Sequence, residues 1–93
     1  FRPFESTSKN AWKGIFFGSY GLGSVSQSDV GYGGYSYSSN IYVRPSVGVT
    51  LTSNLLHDSG GYGAKCYVAA NCAVFEASSN TFTNNTLGDT NAP

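Results

Sequence analysis

The chain has 93 residues, with five Lys or Arg balanced by five Asp or Glu; this is one small domain with no net field to draw nucleic acid or an anionic membrane. A domain of this size buries only about 60 to 65% of the surface its unfolded chain exposes, which argues against a large active-site cleft. Charged residues are 11% of the chain, under half of the roughly 25% usual for a soluble domain. Ser, Thr, Asn, Gly and seven Tyr supply the polarity instead, a mixture suited to an extracellular or particle surface.

In chain order, "FRPFESTSKN" opens without Met and reads as an N-terminal arm, residues 1–10, of a processed product or part of a longer chain. "AWKGIFF" (11–17), "IYV" (41–43), "SVGVTLT" (46–52), "CYV" and "CAVF" are strand candidates, aromatic or β-branched. In "SVGVTLT", Val47, Val49 and Leu51 fall on one face, the alternation of a half-buried strand. "GSYGLGS" and "GYGGYSYSSN" punctuate these runs. Residues 64–77 could form a helix if the cysteines are unpaired. The expected fold is all-β or β-rich: a small antiparallel sheet with long Gly/Ser/Tyr loops and extended terminal arms. Its core spans 11–77, and the polar stretch 78–93 is an extended or flexible tail. There is no run of about 18 apolar residues, so no membrane insertion is expected. Asn84-Asn85-Thr86 fits a glycosylation sequon, meaningful only in a eukaryotic secreted protein.

Cys66 and Cys72 form a C-x5-C pair, with too few ligands for a structural metal and the wrong spacing for a thioredoxin-like motif. A disulfide across a hairpin turning at Ala69-Ala70-Asn71 is expected, since residues six apart on a helix diverge. The alternative is two buried thiols in a reducing compartment. A disulfide places maturation outside the cytosol, or oxidation after release.

His57-Asp58-Ser59-Gly60-Gly61 resembles the surroundings of a trypsin-like nucleophile. A catalytic triad draws its base and carboxylate from distant positions, whereas His57 is the single histidine and stands two residues from Ser59. Turn chemistry explains the stretch better: Asp and Ser bond local backbone and Gly supplies positive φ. Glu5, Asp29, Asp58, Glu76 and Asp89 are scattered singly, and neither "GYGGY" nor "GLGS" continues into a phosphate-cradling loop. No catalytic residues, metal or cofactor are expected.

Between Gly18 and Tyr42, Tyr20, Tyr32, Tyr35, Tyr37 and Tyr42 interleave with Gly and Ser. This is the composition of antibody binding loops, stiff aromatic contact area among adaptable hydrogen-bonding groups. The same residues could instead form strands whose rings cover a small core. As a binding surface, Trp12, Tyr20, Tyr32, Tyr35 and Tyr37 would be the contacts. Lys9, Lys13, Arg44 and Lys65 are too dispersed to track a nucleic-acid backbone.

"STSKNAWKGIFFGSYG" followed by "NIYVRPSVGVTLTSN" resembles the C-terminal half of bacterial and phage C-type-lectin-like domains, which include formylglycine-generating-enzyme-like modules and the Legionella collagen-like adhesin C-terminal domain. The resemblance covers Ser6 to Asn54, with Asn10-Ala11-Trp12 to Phe16-Phe17-Gly18 as the aromatic strand and Tyr42-Val43-Arg44-Pro45-Ser46-Val47 as the closing one. It implies a display fold whose exposed loops bind glycans or surface receptors, with Arg44 bracing the fold. The N-terminal half of such a domain is missing, the segment from Leu55 onward is not part of the pattern, and the catalytic cysteines of formylglycine-generating enzymes have no counterpart.

Two functions follow: a non-enzymatic adhesive or receptor-binding module for a glycan or protein, or a structural subunit of an extracellular or viral assembly such as a decoration protein, tail fibre or pilus-like filament. The partners would be a surface receptor or neighbouring copies, and the place a cell surface, virion or extracellular space.

Overall fold

The computed structural model describes residues 8–45 and 47–93; most of the expected N-terminal arm, residues 1–7, lies outside the described residues. The chain is β-rich and winds as a solenoid. The first coil runs through β1 (Ile15–Phe17), β2 (Gly23–Ser26) and β3 (Asp29–Gly31), and the second through β4 (Ser39–Val43), β5 (Val49–Thr52) and β6 (Leu55–His57). The third comprises β7 (Tyr62–Cys66), a 3-10 turn (Ala69–Cys72), α1 (Ala73–Ala77) and β8 (Thr81–Thr83), and β9 (Gly88–Thr90) begins a fourth. Sheet A stacks β1-β4-β7-β9, sheet B β2-β5 and sheet C β3-β6-β8.

Every pairing is parallel, which corrects the expected antiparallel sheet. Alternating burial reports only that one strand face is covered, and Gly and Ser corners of a coil look like hairpin turns in sequence. Parallel neighbours need a long crossover, and here the other two sides of each coil provide it. Ile15 pairs with Ile41, 26 residues on, and the Ser28–Asn54 contact repeats that spacing. The exception is β4 to β7, where Ile41 meets Ala64. The corner after β3 occupies residues 32–38, whereas those after β6 and β8 occupy only 58–61 and 84–87. The Tyr-rich stretch is therefore a three-residue excursion from the shorter corner.

Inward-facing side chains stack from coil to coil: Ile15, Ile41 and Ala64; Phe17, Val43 and Cys66; Val25 and Leu51; Val30, Leu56 and Phe82. Val30, Ile41 and Leu56 are fully buried, each stabilising the fold by about 1.5–3 kcal/mol relative to exposure. Corners recur with the coil. Tyr32, Asp58 and Asn84 all hold positive φ after the sheet C strands, as do Gln27 and Ser53 between sheets B and C.

Residues 72–75, expected as a strand, lie in the end of the 3-10 turn and the start of α1. No hairpin turns at Ala69-Ala70-Asn71, which belong to the 3-10 turn. The short helix takes the place of a third sheet B strand and packs on β5, its Phe75 pointing into the core. It thereby covers a sheet edge that would otherwise present unpaired backbone. A disulfide joins Cys66 to Cys72, Cα atoms 5.6 Å apart, tying the end of β7 to the start of this helix. Helix and disulfide coexist because the bridge spans the corner and not the helix itself. Residues 78–93, expected as an extended or flexible tail, carry β8 and β9, which pair with β6 and β7.

Candidate binding face

The histidine cluster has the most concentrated chemistry. His57 ends β6, between Gly31 and Thr83 in the register of sheet C. A Cβ on Gly31 would stand 2.5 Å from the His57 ring, so the bare glycine is what lets the imidazole lie over β3. Nε2 meets Asp29 Oδ1 at 2.6 Å and Nδ1 meets Asp58 Oδ2 at 2.7 Å. Carboxylates only accept, and a ring donating from both nitrogens satisfies both contacts. Tyr32 packs edge-on to the ring, centroids 5.3 Å apart, and Asn84 Nδ2 donates to Asp58 Oδ1. The hydrogen bond from His57 is the main influence holding the Asp58 carboxyl below its ordinary range, opposed by desolvation and aided by Asn84 and by the His57 and Lys9 charges. Because both ring nitrogens face carboxylates, the imidazole acts as a brace joining the first two coils, with Asn84 extending it to the third.

Ser59 is fully buried. Its Oγ accepts from the Gly61 N–H at 3.0 Å, and its own N–H donates to Asn85 Oδ1 at 3.0 Å, which is turn chemistry at a coil corner. Among the described residues no cluster of three or more His, Cys, Asp or Glu could hold a metal ion, and no helix is long and apolar enough to cross a membrane.

The residues singled out from the sequence as ligand contacts do not converge. Trp12 is half-buried against the core and its Nε1 donates to Gly31 O at 2.8 Å. Tyr20 is 98% exposed on the loop between β1 and β2. Tyr32 belongs to the histidine cluster, and Tyr35 stands exposed on the corner excursion. Tyr37 alone joins a larger group. It stacks on Phe16 with ring centroids 5.0 Å apart and planes 7° apart, and both rings meet Tyr42 at 5.5–5.6 Å.

This group is built by strand alternation. In β1, Ile15 and Phe17 pack against the core while Phe16 is 44% exposed. Tyr42 is the matching outward position of β4, and register aligns Phe16, Tyr42 and Lys65 across three strands. Lys65 Nζ lies 5.7 Å from the Tyr42 ring centroid. One outward position further along, the Arg44 guanidinium covers the Tyr67 ring at 4.3 Å. The outer face of sheet A thus gathers four aromatic rings and two cations. Phe16, Lys65 and Tyr67 were not singled out as contacts; the outward phase of Phe16 in "IFF" was the available signal.

Fold and face together define a small parallel β-solenoid that presents an aromatic and cationic surface on one sheet. Compared with known proteins, the chain matches no family model, no curated protein and no solved structure.

Proposed function

We propose that this chain is a non-enzymatic adhesive or receptor-binding module of a cell or virion surface, and that the outer face of sheet A is its contact surface. The observation that carries this reading is the Phe16–Tyr37–Tyr42 cluster. Aromatic rings held on a rigid sheet offer contact area at little cost in conformational entropy, and their apolar faces suit the C–H faces of a sugar. The corner excursion brings Tyr37 to this cluster, and four residues suffice for the corresponding corners of the other two coils. An engaged Ser59 hydroxyl and a His57 held between two carboxylates support the non-enzymatic part, and the Cys66–Cys72 disulfide suits an oxidising location.

A glycan array tests the reading, with Phe16→Ala and Tyr37→Ala alongside the parent chain. Binding lost in both variants at unchanged melting temperature supports it. Equal binding by all three, or none by the parent, overturns it for glycans.

A second reading, a structural subunit of an extracellular or viral assembly, draws on a different observation. Among the described residues β1, β2 and β3 are edge strands at the same end of the solenoid, beside a concavity that includes Ile15, Phe17 and Val25. Open parallel edges over apolar side chains are suited to stacking. Light scattering across a concentration series decides: a monomer throughout removes this reading, and assembly without ligand makes subunit contact the primary role.

A further inference from the structure

The geometry points to an anionic oligosaccharide, bearing carboxylate or sulfate groups, as the ligand of the sheet A face. This deepens the proposed reading and rests on that face being a binding surface. The charges beside the rings are cationic. Lys65 stands in register with Tyr42 and Phe16, and Arg44, which follows β4 directly and stands two residues on from Tyr42, lies over Tyr67. From strand spacing and rise, the backbones of Lys65 and Arg44 are about 8 Å apart on the diagonal. The two cations therefore flank the rings within the span of a short saccharide.

Three of the described carboxylates stand off this patch. Asp29 and Asp58 are bound to His57 on sheet C, and Glu76 accepts from Thr90 Oγ1. Asp89 is exposed on β9, the outer strand beyond β7, and lies opposite Gly63 in the register set by the Tyr62–Gly88 and Ala64–Thr90 pairs. By the same strand spacing and rise its backbone is about 8 Å from that of Lys65, so it is the described acid at the border of the patch, on the side away from Phe16.

The aromatic rings and the cations divide the work. A pyranose ring laid on Tyr42 and Phe16 buries its C–H face, and its acidic substituents meet Lys65 or Arg44. Arg44 is held in place by its ring contact with Tyr67 and offers a planar fork to a carboxylate or sulfate. Lys65 is a point charge that turns to suit. At the protein surface each such pairing gives a severalfold gain in affinity and is screened by salt.

The test is titration of the labelled protein, followed by NMR, with three hexasaccharides: hyaluronan, heparin-derived and neutral maltohexaose. Binding of hyaluronan or heparin, or both, with weaker binding of maltohexaose is the expected result; hyaluronan binding shows that carboxylates suffice, and binding of the heparin-derived probe alone shows that sulfate is required. Lys65→Met and Arg44→Gln should each weaken acidic binding by about three- to fivefold and leave maltohexaose unaffected. Asp89→Asn, at the border of the contact, should strengthen it. Maltohexaose binding as tight as the acidic probes, lost in Phe16→Ala, overturns the anionic ligand but keeps the aromatic face as a glycan site. No binding of any probe overturns both for glycans. Acidic binding that survives Lys65→Met and Arg44→Gln together overturns the assignment of the charges.

Discussion

Asn80 lies one coil beyond Asn54, and its Oδ1 accepts from both the backbone N–H of Asn54, at 3.1 Å, and the Asn54 Nδ2, at 3.0 Å. Asn54 in turn accepts from the Ser28 N–H at 3.1 Å and donates to Val25 O at 2.8 Å. A polar column thus runs through the corner between sheets B and C, where strand pairing is interrupted. Asn54 is 2% exposed, so its removal leaves buried partners without water. Asn54→Ala should cost about 2–3 kcal/mol, a fall of about 10–20 °C in melting temperature at roughly 4–8 °C per kcal/mol for a domain of this size. Urea unfolding checks it, and a loss too small to measure would mean that the column is solvated.

Gln27 offers a stabilising substitution. It sits in the left-handed region with φ of 50° and is exposed, while its N–H donates to Thr52 O at 3.2 Å. A side chain with a Cβ is disfavoured in that conformation by roughly 1–2 kcal/mol, part of which glycine's larger unfolded-state freedom takes back. Gln27→Gly should raise stability by about 0.5–1 kcal/mol at an unchanged denaturant slope. A destabilised variant would show that the glutamine side chain makes a compensating contact.

The strands at Ile15–Phe17, Ile41–Val43 and Val49–Thr52 were legible because alternation and β-branched residues report a covered face directly. The coil was not. Its inward positions are occupied by unlike residues, Val30, Leu56 and Phe82 in one stack and Ile41 over Ala64 in another. The excursion at 32–38 also breaks the 26-residue period at one corner. The period survives in polar pairs instead: Ser28 with Asn54, Ser53 with Ser79, Asp58 with Asn84 and Ser59 with Asn85. The asparagines of the C-terminal stretch, which suggest disorder by composition, are structural. Asn80, Asn85 and Asn91 donate to Leu51 O, Leu56 O and Cys66 O, one carbonyl on each sheet. The aromatic face depends on pairing Phe16 with Tyr42, information that resides in the coil register and not in either strand alone.

The disulfide makes a local prediction as well as a global one. Closing the short loop between Cys66 and Cys72 stabilises the fold by about 2 kcal/mol on the chain-entropy estimate. Reduction should lower the urea midpoint accordingly. Because the bridge secures the turn into α1, amide exchange should accelerate first at 73–78, where Ser78 N–H donates to Val74 O, with β4 and β6 protected until global unfolding. Uniform acceleration would mean that the helix is integral to the cooperative core and not a cover added to it.

Asp58 links the histidine brace to acid stability, and the sign follows from its lowered pKa. The hydrogen bond from His57 favours the carboxylate in the folded chain, so the folded-state value falls below the ordinary 3.8. A group depressed in this way contributes its full stability above 3.8 and loses it as pH falls through the folded value. The wild type should therefore lose this stability as pH falls from about 3.8 through the lower folded value. Asp58→Asn should start less stable at neutral pH, since the asparagine cannot supply the charge, and should show a shallower decline over the same acid range. Urea midpoints measured from neutral pH downward check both. A variant that declines in parallel with the wild type would place the acid sensitivity in another carboxylate, and Asp29→Asn would then be the variant to compare, since Asp29 holds the opposite side of the same ring.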